Sequence, residues 1–319
     1  MTNYFLGIDT SCYTTSVAIL DEQLQVVADC RRILIVKPGK RGLQQSEMVF
    51  QHTRNLPDLF TQACLKLKTP ICFKAIGVSA FPRPLPDSYM PAFLVGEGYA
   101  KVLALSQASP LYRISHQENH ILAGIRSASG PTASSFLAVH LSGGTTEIVK
   151  VTKTLPESQS LSIDILGGTQ DIHAGQLVDR VGVLLGLPFP AGPHLETLAA
   201  HSHEQAVKIP VTIRDCSLSF SGPETYIRKL LSQAIEPAAI AAGVELCIAT
   251  AVAAMIKQAI SQTGLTEVLL VGGVTANQYI REYLITQLDT TGLAKLYFPE
   301  PEYSPDNATG TAYFALLNQ

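Results

Sequence analysis

The chain has 319 residues, more than one compact core usually holds, so two domains are the starting expectation. A hydrophobic content of 46% excludes a disordered or low-complexity class, and a formal net charge of −3 excludes a generally basic nucleic-acid binder while leaving room for a local basic patch. The six cysteines (Cys12, Cys30, Cys64, Cys72, Cys216, Cys247) are scattered with no Cys-x-x-Cys pair, which favours free thiols in a reducing, cytoplasmic compartment. The N-terminal stretch lacks the basic and apolar regions and the cleavage site of a signal peptide. No apolar run reads as long enough to span a bilayer, so no membrane is expected.

Strand-like and helix-like runs alternate along the chain, which predicts an α/β class. Tyr4–Asp9, Ser16–Leu20 and Leu24–Cys30 read as an opening β-meander, and Gln44–Leu67 has helical spacing. Ala75–Val78 reads as a strand, Pro91–Ser106 as a helix with Pro91 in its first turn, and Leu111–Ile114 as a strand running into a helix from His116. Leu137–Leu141 and Glu147–Val151 form a second hairpin. Helices follow around Asp171–Leu185, His194–His201, Glu224–Gln233 and Ala238–Thr263. Val268–Val271 is a buried strand ending in Gly272-Gly273, and the last helix begins near Asp306.

The two hairpins are copies of one pattern. Phe5-Leu-Gly-Ile-Asp-Thr-Ser-Cys-Tyr-Thr-Thr-Ser-Val aligns without gaps on Phe136-Leu-Ala-Val-His-Leu-Ser-Gly-Gly-Thr-Thr-Glu-Ile, matching the apolar strand positions, the Ser and both Thr. Each copy is a strand, a tight Ser/Thr/Gly turn and a returning strand, and such a turn offers backbone N–H groups and hydroxyls to an anion. Two copies gripping one polyphosphate or acyl-phosphate across a central interdomain cleft is the architecture of the sugar kinase, actin and heat-shock chaperone superfamily, the actin-like fold expected here.

Each chemical motif has a bland alternative. His116-Gln-Glu-Asn-His120 places two imidazoles on one helical face, within reach of one ion. The alternative is a solvated polar helix start. It is not the metalloprotease pattern, which needs Glu directly after the first His, so peptidase chemistry ranks last. Ser142-Gly143-Gly144-Thr145-Thr146 suits either a ligand-facing turn or an ordinary hairpin. Gly272-Gly273-Val-Thr-Ala-Asn277 links a strand to a helix start, as a nucleotide-contacting turn does and as a plain tight connection does. Asp171 and Asp179 read as two carboxylates near one helical face, and Pro190-Ala-Gly192-Pro-His-Leu-Glu196 as a loop entering a helix. A carboxylate there suits the hydroxyls of a ribose, or merely a helix dipole. Asp306-Asn307 starts the last helix, where an N-cap Asp is the commoner use.

In order, Gly7-Ile-Asp-Thr-Ser-Cys12, the His-x-x-x-His, Ser-Gly-Gly-Thr-Thr, Asp-Ile-x-x-Gly-x-x-x-Asp-Arg, Pro-x-Gly-Pro, Leu218-Ser-Phe-Ser-Gly222, Gly-Gly-Val-Thr-Ala-Asn277 and Asp306-Asn307 resemble the tRNA threonylcarbamoyladenosine transferase family over nearly the whole chain. Its older name is O-sialoglycoprotein endopeptidase. The resemblance implies a metal site at His116, His120 and Asp306 for one divalent ion, iron or zinc. It implies an adenine nucleotide or threonylcarbamoyl-adenylate, with Ser142, Gly143 and Gly144 beside the phosphate. Asp179, Gly192 and Glu196 would hold the ribose region, and Asn277 the base region. His140 and Leu141 lead into the phosphate turn, and His140 stands where relatives place a Tyr that reaches the metal, which makes it a further ligand candidate. Residues 1–110 with 306–319 would form the first domain and 111–305 the second, which carries most of the nucleotide site. Protein partner subunits or a homodimer, and tRNA, would be the partners. The Arg31, Arg32, Lys37, Lys40 and Arg41 cluster is either a tRNA patch or a solvated loop.

The chain departs from the family pattern in two places. Tyr13-Thr14 replaces the usual Asp-Glu, and Pro86-Asp-Ser-Tyr89 replaces a Gly-Pro-Gly-Leu turn. No catalytic side chain is therefore assigned. The leading expectation is threonylcarbamoyl transfer from the adenylate to the anticodon-adjacent adenosine, or a divergent paralogue acting on a similar adenylate. A non-catalytic nucleotide- and metal-binding scaffold is the alternative, and a small-molecule kinase of the same superfamily ranks third.

Overall fold

The computed structural model describes residues 3–11, 13–36, 43–67, 71–154, 160–233 and 235–319. The chain divides into two compact units: Met1–Gly130, Lys153–Leu161 and Pro305–Gln319, and Pro131–Thr152 with Ser162–Ser304. In chain order the first unit carries β1 (Tyr4–Asp9), β2 (Thr14–Asp21), β3 (Val26–Ile33), α1 (Gln45–Cys64), β4 (Phe73–Phe81), α2 (Phe93–Gln107), β5 (Leu111–Ser115) and α3 (His116–Ala128). Then come β6 (Ser135–Leu141), β7 (Thr146–Lys153), β8 (Leu161–Gly168), α4 (Ala174–Leu184), α5 (Gly192–Ala199), β9 (Ile213–Arg214), β10 (Ser217–Leu218), α6 (Ser221–Leu230), α7 (Pro237–Thr263), β11 (Glu267–Val271), α8 (Gln278–Leu284) and β12 (Lys295–Tyr297). Helix α9 (Thr309–Leu317) returns to the first unit. Helix α3 also belongs to the first unit, past the expected boundary near residue 110. It packs on α9 and β4 and buries Ile121, Leu122 and Ala123 there.

The sheets repeat one topology. The first runs β3-β2-β1-β4-β5 and the second β8-β7-β6-β11-β12, each with an antiparallel hairpin at its centre and parallel strands added beyond it. Even the hairpin register repeats. Asp9 lies opposite Ser16 as His140 lies opposite Glu147, and Tyr4 opposite Asp21 as Ser135 lies opposite Thr152. The aligned sequence repeat is thus a structural duplication. Beside the expected elements, β8 and the short strand β12 complete the second sheet, and β9 and β10 pair in a two-stranded one.

Alternation along β1 sends Leu6 and Ile8 into one core with Leu56, Leu59 and Phe73. Phe5 and Gly7 face α9 on the other side. Helix α9 lies so close that a Cβ on Gly77 would stand 2.0 Å from the Thr311 carbonyl oxygen, and one on Gly7 2.2 Å from that of Ala308. These are backbone atoms that cannot swing aside. Gly77→Ala should therefore destabilise the chain by about 1–3 kcal/mol, the usual cost of overpacking. Gly98→Ala on the open face of α2, where nothing lies within 4 Å, should be neutral or slightly stabilising. Equal denaturation midpoints for the two variants would show that α9 does not grip the sheet.

Helix α7 corrects one expectation. It has 27 residues and an 18-residue window with mean hydropathy 2.1, so by length and composition it is long enough to cross a membrane. Burial accounts for its composition: 83% of that window is packed inside the protein, and Ile248, Val252, Met255 and Ile256 lie in the core of the second unit.

Candidate metal centre and nucleotide site

Helix α3 opens directly after β5 with a capping box. Ser115 accepts from the Glu118 N–H, and the Glu118 carboxylate accepts from the Ser115 N–H at 2.7 Å. The cap fixes the first turn, so His116 and His120 fall on one face with ring centroids 4.4 Å apart. Their Nε2 atoms stand 3.1 Å apart, and Asp306 Oδ1 lies 3.2 Å from that of His120 and 3.6 Å from that of His116. Tetrahedral bonds of about 2.0–2.2 Å place ligand atoms roughly 3.3–3.6 Å from one another, so the three atoms outline one face of such a site. Two imidazoles and a carboxylate suit zinc or iron, and with three protein ligands further positions stay open for water or substrate. The residues fit a divalent ion.

The support beneath this face was missed in the sequence. Asp9, fully buried at the end of β1, takes His116 Nδ1 at 2.9 Å, Asn119 Nδ2 at 2.9 Å and Ser79 Oγ at 2.5 Å on one oxygen, and the Ser11 N–H at 2.8 Å on the other. A carboxylate behind a ligating imidazole fixes its tautomer and aims Nε2 outward. Asn119 ties the arrangement to the chain's return: its amide donates to the Asn307 carbonyl at 2.6 Å and accepts from the Thr311 N–H at 2.9 Å. Asp306 is not the N-cap of the last helix, which starts only at Thr309. Its carboxylate turns to the imidazoles instead.

Electrostatics follow from this packing. Burial alone would lower the His116 pKa, but the charge of Asp9, with Asp306, holds it well above the usual range. Burial and the neighbouring His116 charge push His120 below it. Burial opposes ionisation of Asp306, yet hydrogen bonds from both imidazoles hold its pKa well below the ordinary carboxylate value. The cluster is negative on balance, as a cation site should be.

A third histidine in this unit is purely internal. His52 on α1 is fully buried, with Nδ1 2.8 Å from Thr15 Oγ1 and no partner for Nε2. Burial lowers its pKa to about 4, against the opposing pull of the Asp9 and Asp306 charges. Below an unfolded value near 6.5 the unfolded chain takes a proton that the native chain refuses, so stability falls as pH drops from about 6.5 to about 4. The full window is worth on the order of 3 kcal/mol. His52→Gln should flatten that part of the stability–pH curve, and superimposable curves would refute the assignment.

In the second unit, Ser142 closes the β6–β7 turn. Its Oγ accepts from the N–H groups of Gly144 at 3.2 Å and Thr145 at 3.0 Å, while the exposed Gly143 N–H has no partner among the described residues. Helix α4 braces the turn, with Gly175 N–H donating to the Ser142 carbonyl at 3.1 Å and Ala174 N–H to Thr146 Oγ1 at 2.8 Å. His140 and Leu141 are buried in β6, and the His140 ring lies against Gly272. His140 belongs to the second unit and is not one of the three clustered ligands in the first.

Asp179 on α4 accepts the Ala191 N–H at 2.8 Å, which places Gly192 at the start of α5; burial raises its pKa against that bond. Glu196 accepts the Gln278 N–H at 2.8 Å with one oxygen. Asn277 caps α8, its Oδ1 taking the Ile280 N–H at 2.9 Å, and donates Nδ2 to Glu245 at 2.6 Å. Asp171 departs from expectation. It precedes α4 and spends its carboxylate on Ser219 Oγ, Ser221 Oγ (2.6 Å) and the Phe220 N–H (2.9 Å), latching the loop before α6. Of the basic cluster, Arg31 pairs with Asp29 and Arg32 with Asp58, while Lys37, Lys40 and Arg41 lie outside the described residues, as does Cys12.

The family profile described as tRNA N6-adenosine threonylcarbamoyltransferase (TsaD) matches residues 45–313. The chain belongs to that family. The tRNA N6-adenosine threonylcarbamoyltransferase of Aromatoleum aromaticum is 32% identical over 321 aligned positions, covering 98% of this chain and 90% of that one. Among solved structures, HypF of T. kodakarensis has a TM-score of 0.61 at 14% identity, covering 99% of this chain and 48% of that one. The ADPNP-bound activator of the 2-hydroxyisocaproyl-CoA dehydratase from Clostridium difficile has a TM-score of 0.56 at 15% identity, covering 99% and 94%. With the duplicated sheets, these likenesses identify the family fold as two actin-like α/β domains.

Proposed function

We propose that this chain transfers a threonylcarbamoyl group from its adenylate to an adenosine of tRNA beside the anticodon, with a divalent metal, iron or zinc, held by His116, His120 and Asp306. The observation that carries this reading is the three-ligand face backed by Asp9 in a member of this family. When bound, the ion supplies Lewis acidity for acyl transfer. The Gly143 N–H offers a donor to the phosphate, and charge developing on a departing AMP is stabilised by such fixed donors. Asp179 and Glu196 each keep one carboxylate oxygen for ribose hydroxyls, and Asn277 borders the base. The amine of the acceptor adenosine attacks the carbamoyl carbon, the bond to the phosphate oxygen breaks, and a proton leaves the nitrogen.

A scaffold role is the second reading, and the Tyr13-Thr14 pair in the first hairpin turn favours it. Exposed Leu94, Val102 and Leu105 on α2 support a protein partner under either reading. Five described free cysteines support a cytoplasmic setting. The test is single-turnover transfer with threonylcarbamoyl-adenylate and tRNA, scoring AMP released against modified adenosine formed. Binding of AMP and metal without transfer, alone or with a partner subunit, would leave the scaffold.

A further inference from the structure

A carboxylate–imidazole pair, one member buried and the other partly exposed, borders the proposed base region. Glu245 sits within the apolar helix α7 with 1% of its surface exposed, and both its oxygens are engaged. One accepts from Asn277 Nδ2 and the other meets His203 Nε2, each at 2.6 Å. The His203 ring lies flat on Tyr279, with centroids 4.0 Å apart and planes 1° apart. Its side chain is 27% exposed, and no described residue takes its Nδ1. Nothing in the family reading uses His203 or Glu245.

The protonation pattern follows from the neighbours. A carboxylate oxygen can only accept, so against the Glu245 carboxylate Nε2 carries the hydrogen and donates. In the neutral ring Nδ1 is then an acceptor that no described residue takes, on a ring tied to Asn277 through the Glu245 carboxylate. An acceptor in that place matches the 6-amino group of a purine and opposes a 6-oxo group. We infer that His203, held in this tautomer by Glu245 and stacked on Tyr279, selects a 6-amino over a 6-oxo purine nucleotide. The inference rests on the reading of the second unit as the nucleotide site.

The same geometry dictates what Glu245→Gln must do. Asn277 cannot turn its amide, because Oδ1 is committed to the Ile280 N–H and Nδ2 therefore faces residue 245. A glutamine there must present its carbonyl to Asn277 and its NH₂ to His203. Nε2 then becomes the acceptor, and the ring proton moves to Nδ1, which changes from acceptor to donor. The variant is isosteric and keeps both contacts, so the fold is preserved.

The experiment is calorimetric titration of the full chain with AMP and with IMP at pH 8, above the ordinary imidazole range. Wild type should prefer AMP by roughly 10-fold, the scale of one hydrogen bond with an unpaired group on the losing side. Glu245→Gln should move the ratio toward IMP by at least a similar factor, and His203→Phe, which keeps the stack but has no acceptor, should bring it near unity. Absence of AMP binding by wild type would overturn the nucleotide-site reading and this inference with it. AMP binding with no preference over IMP, or with a preference unchanged in Glu245→Gln, would overturn this inference alone.

Discussion

His116→Ala should reduce bound metal to background while the protein stays folded. The expectation follows from construction: the cluster has three ligands, and the deleted one lies at the first position of α3, where the Ser115–Glu118 capping box holds the helix without it. Asp9→Asn should act more gently. It keeps a hydrogen-bonding atom against His116 Nδ1 but loses the charge that raises ligand basicity, and such changes behind a metal ligand cost roughly 10- to 100-fold in affinity. Elemental analysis after dialysis against a graded chelator measures both. Equal metal content in wild type and His116→Ala would remove the site, whatever the sequence family.

The larger functional effect is expected at the first hairpin turn. Tyr13 and Thr14, the latter the first residue of β2, occupy the places where the family pattern has Asp and Glu. The acceptor adenosine must lose a proton when its amine attacks. A carboxylate can orient that amine or take the proton, whereas a neutral phenol or a threonine hydroxyl has no ionised oxygen to take it. Loss of a general base typically costs about 100- to 10,000-fold. Wild type should therefore transfer slowly when alone, and Tyr13→Asp with Thr14→Glu should raise the single-turnover rate within that range without changing metal content. A wild-type rate matching that of an ordinary family member would show that the acids are dispensable.

The parts legible in the sequence were those written locally. Helical spacing predicted that His116 and His120 share a face, and the gapless alignment of the two hairpins foretold the duplicated sheet and its register. What was hidden depends on contacts distant along the chain. Asp9 looked like a strand end, since its partners Ser79, His116 and Asn119 come from β4 and α3. Glu245 was hidden inside an apolar run, and its meaning depends on His203 and Asn277 reaching it from other segments. Asp171 misled because its spacing from Asp179 suits a helix. Hydrogen bonds to Ser219, Ser221 and Phe220 outcompete helix formation there, and α4 begins only at Ala174.

The discontinuity of the first unit has a kinetic consequence. Asp306 and α9 reach β1 only after the whole second unit has been made, so the last ligand closes a very long loop. For an open coil such closure is slow, because entropy is lost before any contact rewards it. The second unit shortens the path by folding. Thr132 and Ala133 at its entry donate to Glu267, and Glu267 lies opposite Lys295 in the exit strand. Once its sheet forms, entry and exit are neighbours, and the chain emerges close to where it left. With the sheet of the second unit formed, the loop that Asp306 must close to meet the two histidines of α3 is much shorter than the sequence separation alone implies.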